Sequence, residues 1–189
     1  MAEATPTMVF VYGTLKRGFP NHPLLVASSS PFVGAASTAG PASLVIGPYS
    51  VPFLLPPPSS ASSGRVVSGE LYAPSPAALA ELDDLEAKRL ASSSDSLSLC
   101  PLGTHIGVYE RRPITVVADG SGEAVQAEAY FAHPSYAEAL WRRCGGEAAE
   151  IGEYTVDHAG RYVPKSERAA EAAGLIDAIH RFLATAPEN

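Results

Sequence analysis

Met8-Val9-Phe10-Val11-Tyr12-Gly13-Thr14-Leu15 is the stretch on which the fold turns. Residues 8 to 12 are a short continuous apolar run, the length of a buried strand, and Gly13 ends it where the backbone can turn. The segment that follows, Lys16-Arg17-Gly18-Phe19-Pro20-Asn21-His22-Pro23, mixes charge with Gly and Pro breakers. It continues neither a strand nor a helix and reads as an exposed crossover.

Outward from this start, residues 42 to 46, 51 to 55, 65 to 72, 108 to 118 and 124 to 132 are rich in Val, Ile, Leu, Tyr and Phe and read as further strands. Pro113 marks a bulge or an edge within one of them. Leu79, Leu82 and Leu85 recur at three-residue spacing, which predicts a short amphipathic helix over 75–86 after Ser75. Leu175, Ile179 and Phe182 predict a second helix from Ser166 to Ala184.

Two Ser-rich stretches, near 56–64 and 87–105, are too polar to supply core and read as insertions within one domain. That domain spans 1–165, with 166–189 as a C-terminal helical extension. Several strands with few helices favour an α+β fold, a mixed and strongly curved sheet, over a repeating βαβ arrangement.

A chain of 189 residues with 46% hydrophobic and 17% charged residues fits one folded domain. Its formal charge of -7 opposes attraction to phosphate backbones, so no nucleic-acid partner is expected. The opening MAEATPT has no basic region followed by an apolar run, and no stretch of some twenty apolar residues occurs, so neither secretion nor a membrane partner is expected. Cys100 and Cys144 form no CxxC pair, which suits a cytoplasmic location. The histidines at 22, 105, 133, 158 and 180 have no metal-ligand spacing.

Two features could carry chemistry. Taken alone, Tyr12-Gly13-Thr14-Leu15 could simply end a strand; as a site, Gly13 lets the main chain approach a ligand while the N–H groups after it converge on an oxygen. Glu86 follows Leu82 by four residues, close to the side of its helix that Leu79, Leu82 and Leu85 should bury. A carboxylate there needs a reason, whereas Asp83 and Asp84 read as solvated acids. Tyr109 and Arg111 read as a structural strand-edge pair rather than a carboxylate clamp, Glu70 as facing water, and Lys16 and Arg17 as solvated. Cys100 has no neighbouring His in sequence to activate a thiol.

Four ordered segments, VFVYGTLKRG at 9–18, GELY at 69–72, LDDLE at 82–86 and VYERR at 108–112, together resemble the gamma-glutamylcyclotransferase-like family, most of all its gamma-glutamylamine cyclotransferase branch. Pro20-Asn21-His22 extends the likeness, and Tyr162-Val163-Pro164 matches more weakly. The resemblance implies a small β-barrel with flanking helices and a pocket that binds substrate along Tyr12, Gly13, Thr14 and Leu15. It implies Glu86 as catalytic acid/base, a small gamma-glutamyl substrate released as 5-oxoproline and an amine, and no cofactor or metal. The stretch from Lys88 to His105 and the helix after Ser166 are additions to the compact family pattern. Gamma-glutamyl amino acids or glutathione as substrate, and a noncatalytic barrel that binds a small metabolite or a protein, are the alternatives.

Overall fold

β1 (Val9–Val11) is apolar at every position because both of its faces are covered. Phe10 and Tyr12 point into a barrel interior with Leu71, Val116 and Phe131, while Val9 and Val11 pack outside with Leu25, Leu82 and Tyr130. A strand buried on two sides reads as a continuous run rather than an alternating one. Each such side chain withdrawn from water contributes about 1.5–3 kcal/mol before chain entropy is counted.

The computed structural model describes residues 6–56, 64–88, 108–168 and 174–185, with side chains for all of these except 85–88. After β1 come α1 (His22–Ala27), β2 (Phe32–Thr38), β3 (Ser43–Ile46), β4 (Pro52–Leu55), β5 (Ser68–Tyr72) and α2 (Pro76–Lys88). They are followed by β6 (Tyr109–Ala118), β7 (Ala124–Ala132), α3 (Pro134–Cys144), α4 (Val156–Ala159) and α5 (Leu175–Ala184).

Among the described residues the ring β1-β5-β2-β6-β7 closes through a parallel pairing of β1 with β7, and β4 and β3 branch from β7. The sequence resemblance implied a small β-barrel with flanking helices, and the closed five-stranded ring is such a barrel. Small residues make so narrow a barrel possible: Ala36, Ala127 and Ala129 face inward between the larger Phe10, Leu71 and Phe131. Gly69 serves the same end, since a Cβ there would stand 2.4 Å from the Val11 carbonyl oxygen and 2.7 Å from the Phe10 ring.

Several expectations change. The segment after Leu15 is exposed at Arg17, Gly18, Pro20 and Pro23, as expected of a crossover, but Lys16 is only 5% exposed and α1 starts at His22, with Pro23 in its first turn where a missing N–H does no harm. β2, α1 and α3 were not foreseen. The C-terminal helix begins at Leu175 rather than Ser166, because Lys165–Glu167 form a short 3-10 turn and Gly174 stands just before the helix.

Pro113 sits in an unbroken β6–β7 register opposite Glu128, on the part of β6 that precedes its pairing with β2, so it marks a local edge and no bulge. Helix α5 buries Leu175 and Ile179 in a second cluster with Val45, Phe53 and Leu140, on β3, β4 and α3. The Ser-rich stretches, apart from their end residues, and Cys100 lie outside the described residues.

Candidate active site

The site arises where one edge of β7 changes partner. β1 pairs there through Val9 and Glu128, and β4 through Leu54 and Phe131. As β1 turns away after Val11, the seam opens into a cleft of about 390 Å³, its open mouth included. Tyr12, Gly13, Thr14 and Leu15 form one wall, facing Pro52, Tyr109 and Tyr130.

Tyr12 plugs the seam. Its hydroxyl donates to the Tyr130 carbonyl at 2.6 Å and accepts from the Leu54 N–H at 3.3 Å, tying β1 to β7 and β4 at once. That fixes Tyr12 as part of the cleft floor and leaves it no freedom to swing shut over a ligand. Gly13 is needed for a close approach across the cleft: a Cβ would lie 2.5 Å from Pro52 Cγ.

The loop beyond is held by several segments. Lys16 N–H closes a turn onto the Gly13 carbonyl at 3.1 Å, and Asn21 N–H bonds the Thr14 carbonyl at 2.9 Å. The Asn21 side chain donates to Thr14 Oγ1 at 3.0 Å and to the Tyr162 hydroxyl at 3.2 Å, while His22 Nδ1 meets the Leu15 carbonyl at 3.1 Å. Thus Pro20-Asn21-His22 and Tyr162, two outlying pieces of the sequence resemblance, converge on one loop.

Lys16 Nζ donates to the Tyr154 carbonyl at 2.8 Å and lies 3.5 Å from Glu153. Burial lowers the Lys16 pKa, with Glu153 opposing the shift. Burial likewise raises the Tyr154 phenol to about 12, so it stays a neutral donor to the Ser50 carbonyl.

Glu70 does not face water. Its side chain is 14% exposed, and it accepts the Arg17 N–H at 2.9 Å and the Tyr72 hydroxyl at 2.8 Å. Burial first, then this bond, pushes the Tyr72 pKa up. Arg17 is not simply solvated either, since its guanidinium lies 3.6 Å from the centroid of the Phe32 ring.

After these contacts the N–H groups of Gly13, Thr14 and Leu15 have no acceptor among the described residues. Gly13 and Thr14 are buried, and all three residues line the cleft. Buried main-chain donors are nearly always paired, so a wall carrying several unmatched ones is suited to a ligand oxygen.

The other residue singled out by the resemblance stands on α2. Ser75 Oγ caps the helix by accepting the Ala78 N–H at 3.1 Å, and Ala78 and Leu82 are buried, Leu82 against the outer face of β1. Asp83 is not a solvated acid: Arg111 donates to both of its oxygens, from Nε at 2.8 Å and Nη2 at 3.0 Å, and the Tyr130 hydroxyl adds a bond of 2.7 Å. Arg111 Nη1 also contacts Glu128. Arg111 is therefore held structurally, although β6 is flanked by both β2 and β7 and is no edge of the sheet as a whole. Glu86 stands in α2 one turn beyond Asp83, and its side chain lies outside the described residues. Among the described residues, no group of three or more His, Cys, Asp or Glu could hold a metal ion, and no helix is long and apolar enough to cross a membrane.

A closed small barrel, with main-chain donors and an acidic helix beside one seam cleft, is the framework of a small-molecule site. Residues 9–155 match the family described as "Gamma-glutamyl cyclotransferase, AIG2-like", and the chain belongs to that family of enzymes. An Arabidopsis thaliana relative named "Putative gamma-glutamylcyclotransferase" is 39% identical over 201 residues, covering 98% of this chain and 96% of its own. Homo sapiens gamma-glutamylaminecyclotransferase is 47% identical over 83 residues, which are 42% of this chain and 52% of the human one. The crystal structure of an AIG2-like protein from Mus musculus superposes with a TM-score of 0.54 at 31% identity, covering 72% of this chain and 83% of the mouse chain.

Proposed function

We propose that this enzyme converts a gamma-glutamyl amine into 5-oxoproline and the free amine, with Glu86 as general acid/base. The observation that carries the proposal is the cleft wall of Gly13, Thr14 and Leu15, whose N–H groups have no acceptor among the described residues. Such donors match the charge that grows on a carbonyl oxygen under attack, and one well-placed donor is worth about 3 kcal/mol of barrier.

The nucleophile is the substrate's own α-amine. It attacks the γ-carbonyl carbon, the new C–N bond closes a five-membered lactam, and the bond to the attached nitrogen breaks. Tethering supplies the proximity that a protein nucleophile or cofactor would otherwise provide. Glu86 takes the proton from the attacking amine and delivers one to the departing nitrogen, a transfer typically worth about two to four powers of ten in rate. Asp83 adds little repulsion toward a carboxylate at position 86, because the Arg111 guanidinium matches its charge.

The leaving group is read from the opposite wall. Pro52, Tyr109 and Tyr130 are neutral, while the neighbouring cations Lys16, Arg17 and Arg111 are each committed to carboxylates. A leaving amine that carries no carboxylate of its own fits such a wall, in line with the name of the human relative. The Arabidopsis thaliana relative, matched over nearly its whole length, is named for the broader activity, which keeps gamma-glutamyl amino acids as the second reading.

The deciding experiment measures 5-oxoproline release from gamma-glutamyl-lysine, a gamma-glutamyl amino acid and glutathione, with Glu86→Gln alongside. The expected result is fastest turnover of the amine-linked substrate. Glu86→Gln is expected to fold and bind substrate but lose release by at least about a hundredfold. Near-normal turnover by Glu86→Gln removes the acid/base assignment, and preference for an amino-acid leaving group replaces the amine.

A further inference from the structure

We infer that Arg111 and Asp83 form a positioning clamp that sets where α2 holds its catalytic carboxylate, an inference that rests on the acid/base role proposed for Glu86. The clamp joins three elements: Asp83 on α2, Arg111 on β6, and Tyr130 and Glu128 on β7. Tyr130 lines the cleft, so the same network touches the site wall and the helix above it.

The helix needs such a device. Ala78 and Leu82 are buried and Leu79 is partly so, but packing of this kind fixes the distance between helix and sheet better than rotation or slide along it. A guanidinium fork on both oxygens of one carboxylate fixes direction as well. Position 86 lies one turn past the clamp, about 4.5 Å further along the axis. A small rotation of α2 at Asp83 therefore moves position 86 relative to the Gly13–Leu15 wall.

The clamp is also the local charge balance. Among the described residues, the charged and titratable groups bonded in it are Asp83 on α2, Arg111 on β6, and Glu128 and Tyr130 on β7, with Asp84 next to Asp83 in sequence. Arg111 is the cation that offsets Asp83 and Glu128. Its removal leaves both carboxylates uncompensated one helical turn from position 86, whereas removal of the Asp83 charge leaves Arg111 balanced by Glu128, one negative charge fewer than in the wild type. The two changes push the protonation of the catalytic carboxylate in opposite directions.

The test follows kcat, KM and the pH profile of gamma-glutamyl-lysine turnover in the wild type, Arg111→Met, Asp83→Asn, Arg111→Lys and Glu86→Gln, with thermal melting as a check on folding. Arg111→Met is expected to lower kcat by about 10- to 100-fold with KM nearly unchanged and to move the acid limb of the profile upward by about half a pH unit or more. Asp83→Asn is expected to move that limb down. Arg111→Lys restores the charge without the fork, so the limb returns while kcat stays low.

Losses that only track the folded fraction, with the acid limb unmoved in every variant, overturn the clamp while the proposed reaction stands. If Arg111→Met fails to fold, the direction of the limb in Asp83→Asn decides. A wild type that turns over no gamma-glutamyl substrate, or a Glu86→Gln as active as wild type, overturns the underlying acid/base assignment and the clamp with it.

Discussion

The loop that begins at Gly13 and the helix α2, which is tied to the cleft wall through Tyr130, are held in different ways. The loop is bound from several sides at once, by Asn21 and His22 within itself, by Glu70 on β5, by Tyr154 and by Tyr162. The helix rests on apolar packing and one polar clamp at Asp83. The contrast follows the proposed division of labour. Stabilising a developing charge requires donors fixed before the reaction, while a proton carrier must reach two nitrogens in turn.

The strongest way to break this contrast is Gly13→Ala. Its Cβ would meet Pro52 Cγ at 2.5 Å, so either the loop or the proline must yield. Overpacking of this kind costs about 1–3 kcal/mol, and a displaced donor wall is expected to lower kcat by about a hundredfold. Adding Pro52→Ala should restore part of both losses, measured by melting and by 5-oxoproline release. Wild-type turnover by Gly13→Ala would mean that the loop is not fixed in the way described.

A smaller effect is expected from Asn21→Ala, which removes the bonds to Thr14 Oγ1 and Tyr162 but keeps the main-chain bond to Thr14. Stability should fall by about 1–2 kcal/mol and kcat by about tenfold or less, with KM and the acid limb unchanged. A moved acid limb would show that loop and helix are not separate supports.

The smallest effect concerns Lys16. Its folded-state pKa lies below the ordinary 10.5, chiefly because of burial. Between the lowered value and 10.5 the unfolded chain holds a proton that the folded chain has released, so native stability rises with pH across that window. Lys16→Met should lie within about 1 kcal/mol of wild type at neutral pH, where relief from burying a charge offsets the lost bond to Tyr154. Wild type should then gain on the variant as pH climbs toward 10.5. Urea unfolding of both proteins at neutral and alkaline pH checks this, and parallel curves would contradict it.

What the sequence revealed depended on how local the signal was. Val9–Val11, Ser43–Ile46 and Ala124–Ala132 are strongly apolar segments and were legible as strands. β2 was not, because Gly34, Ala35, Ala36 and Ser37 carry little apolar signal, and of the four only Ala36 faces the narrow interior. α1 was hidden by Pro20 and Pro23, of which the second belongs to its first turn. At the site, the cleft wall at Tyr12–Leu15 was legible by resemblance. Asp83 and Glu70 looked like surface acids because their partners, Arg111 and Arg17, lie 28 and 53 residues away. Periodicity along one element cannot show what crosses between two.

The parallel pairing of Val9 with Glu128 also governs the order in which the protein can assemble. β6 and β7 are joined by a short turn and can zip together as soon as both exist, from Val117 opposite Ala124 to Tyr109 opposite Ala132. β1 can pair with β5 earlier, but closing the ring waits for a partner more than half the chain away, and non-local closure of this kind slows folding. Until it happens, Tyr12 has neither the Tyr130 carbonyl nor the Leu54 N–H to bond, and the cleft has no floor. The ring thus closes late, and catalytic competence should appear with barrel closure rather than with the formation of α2.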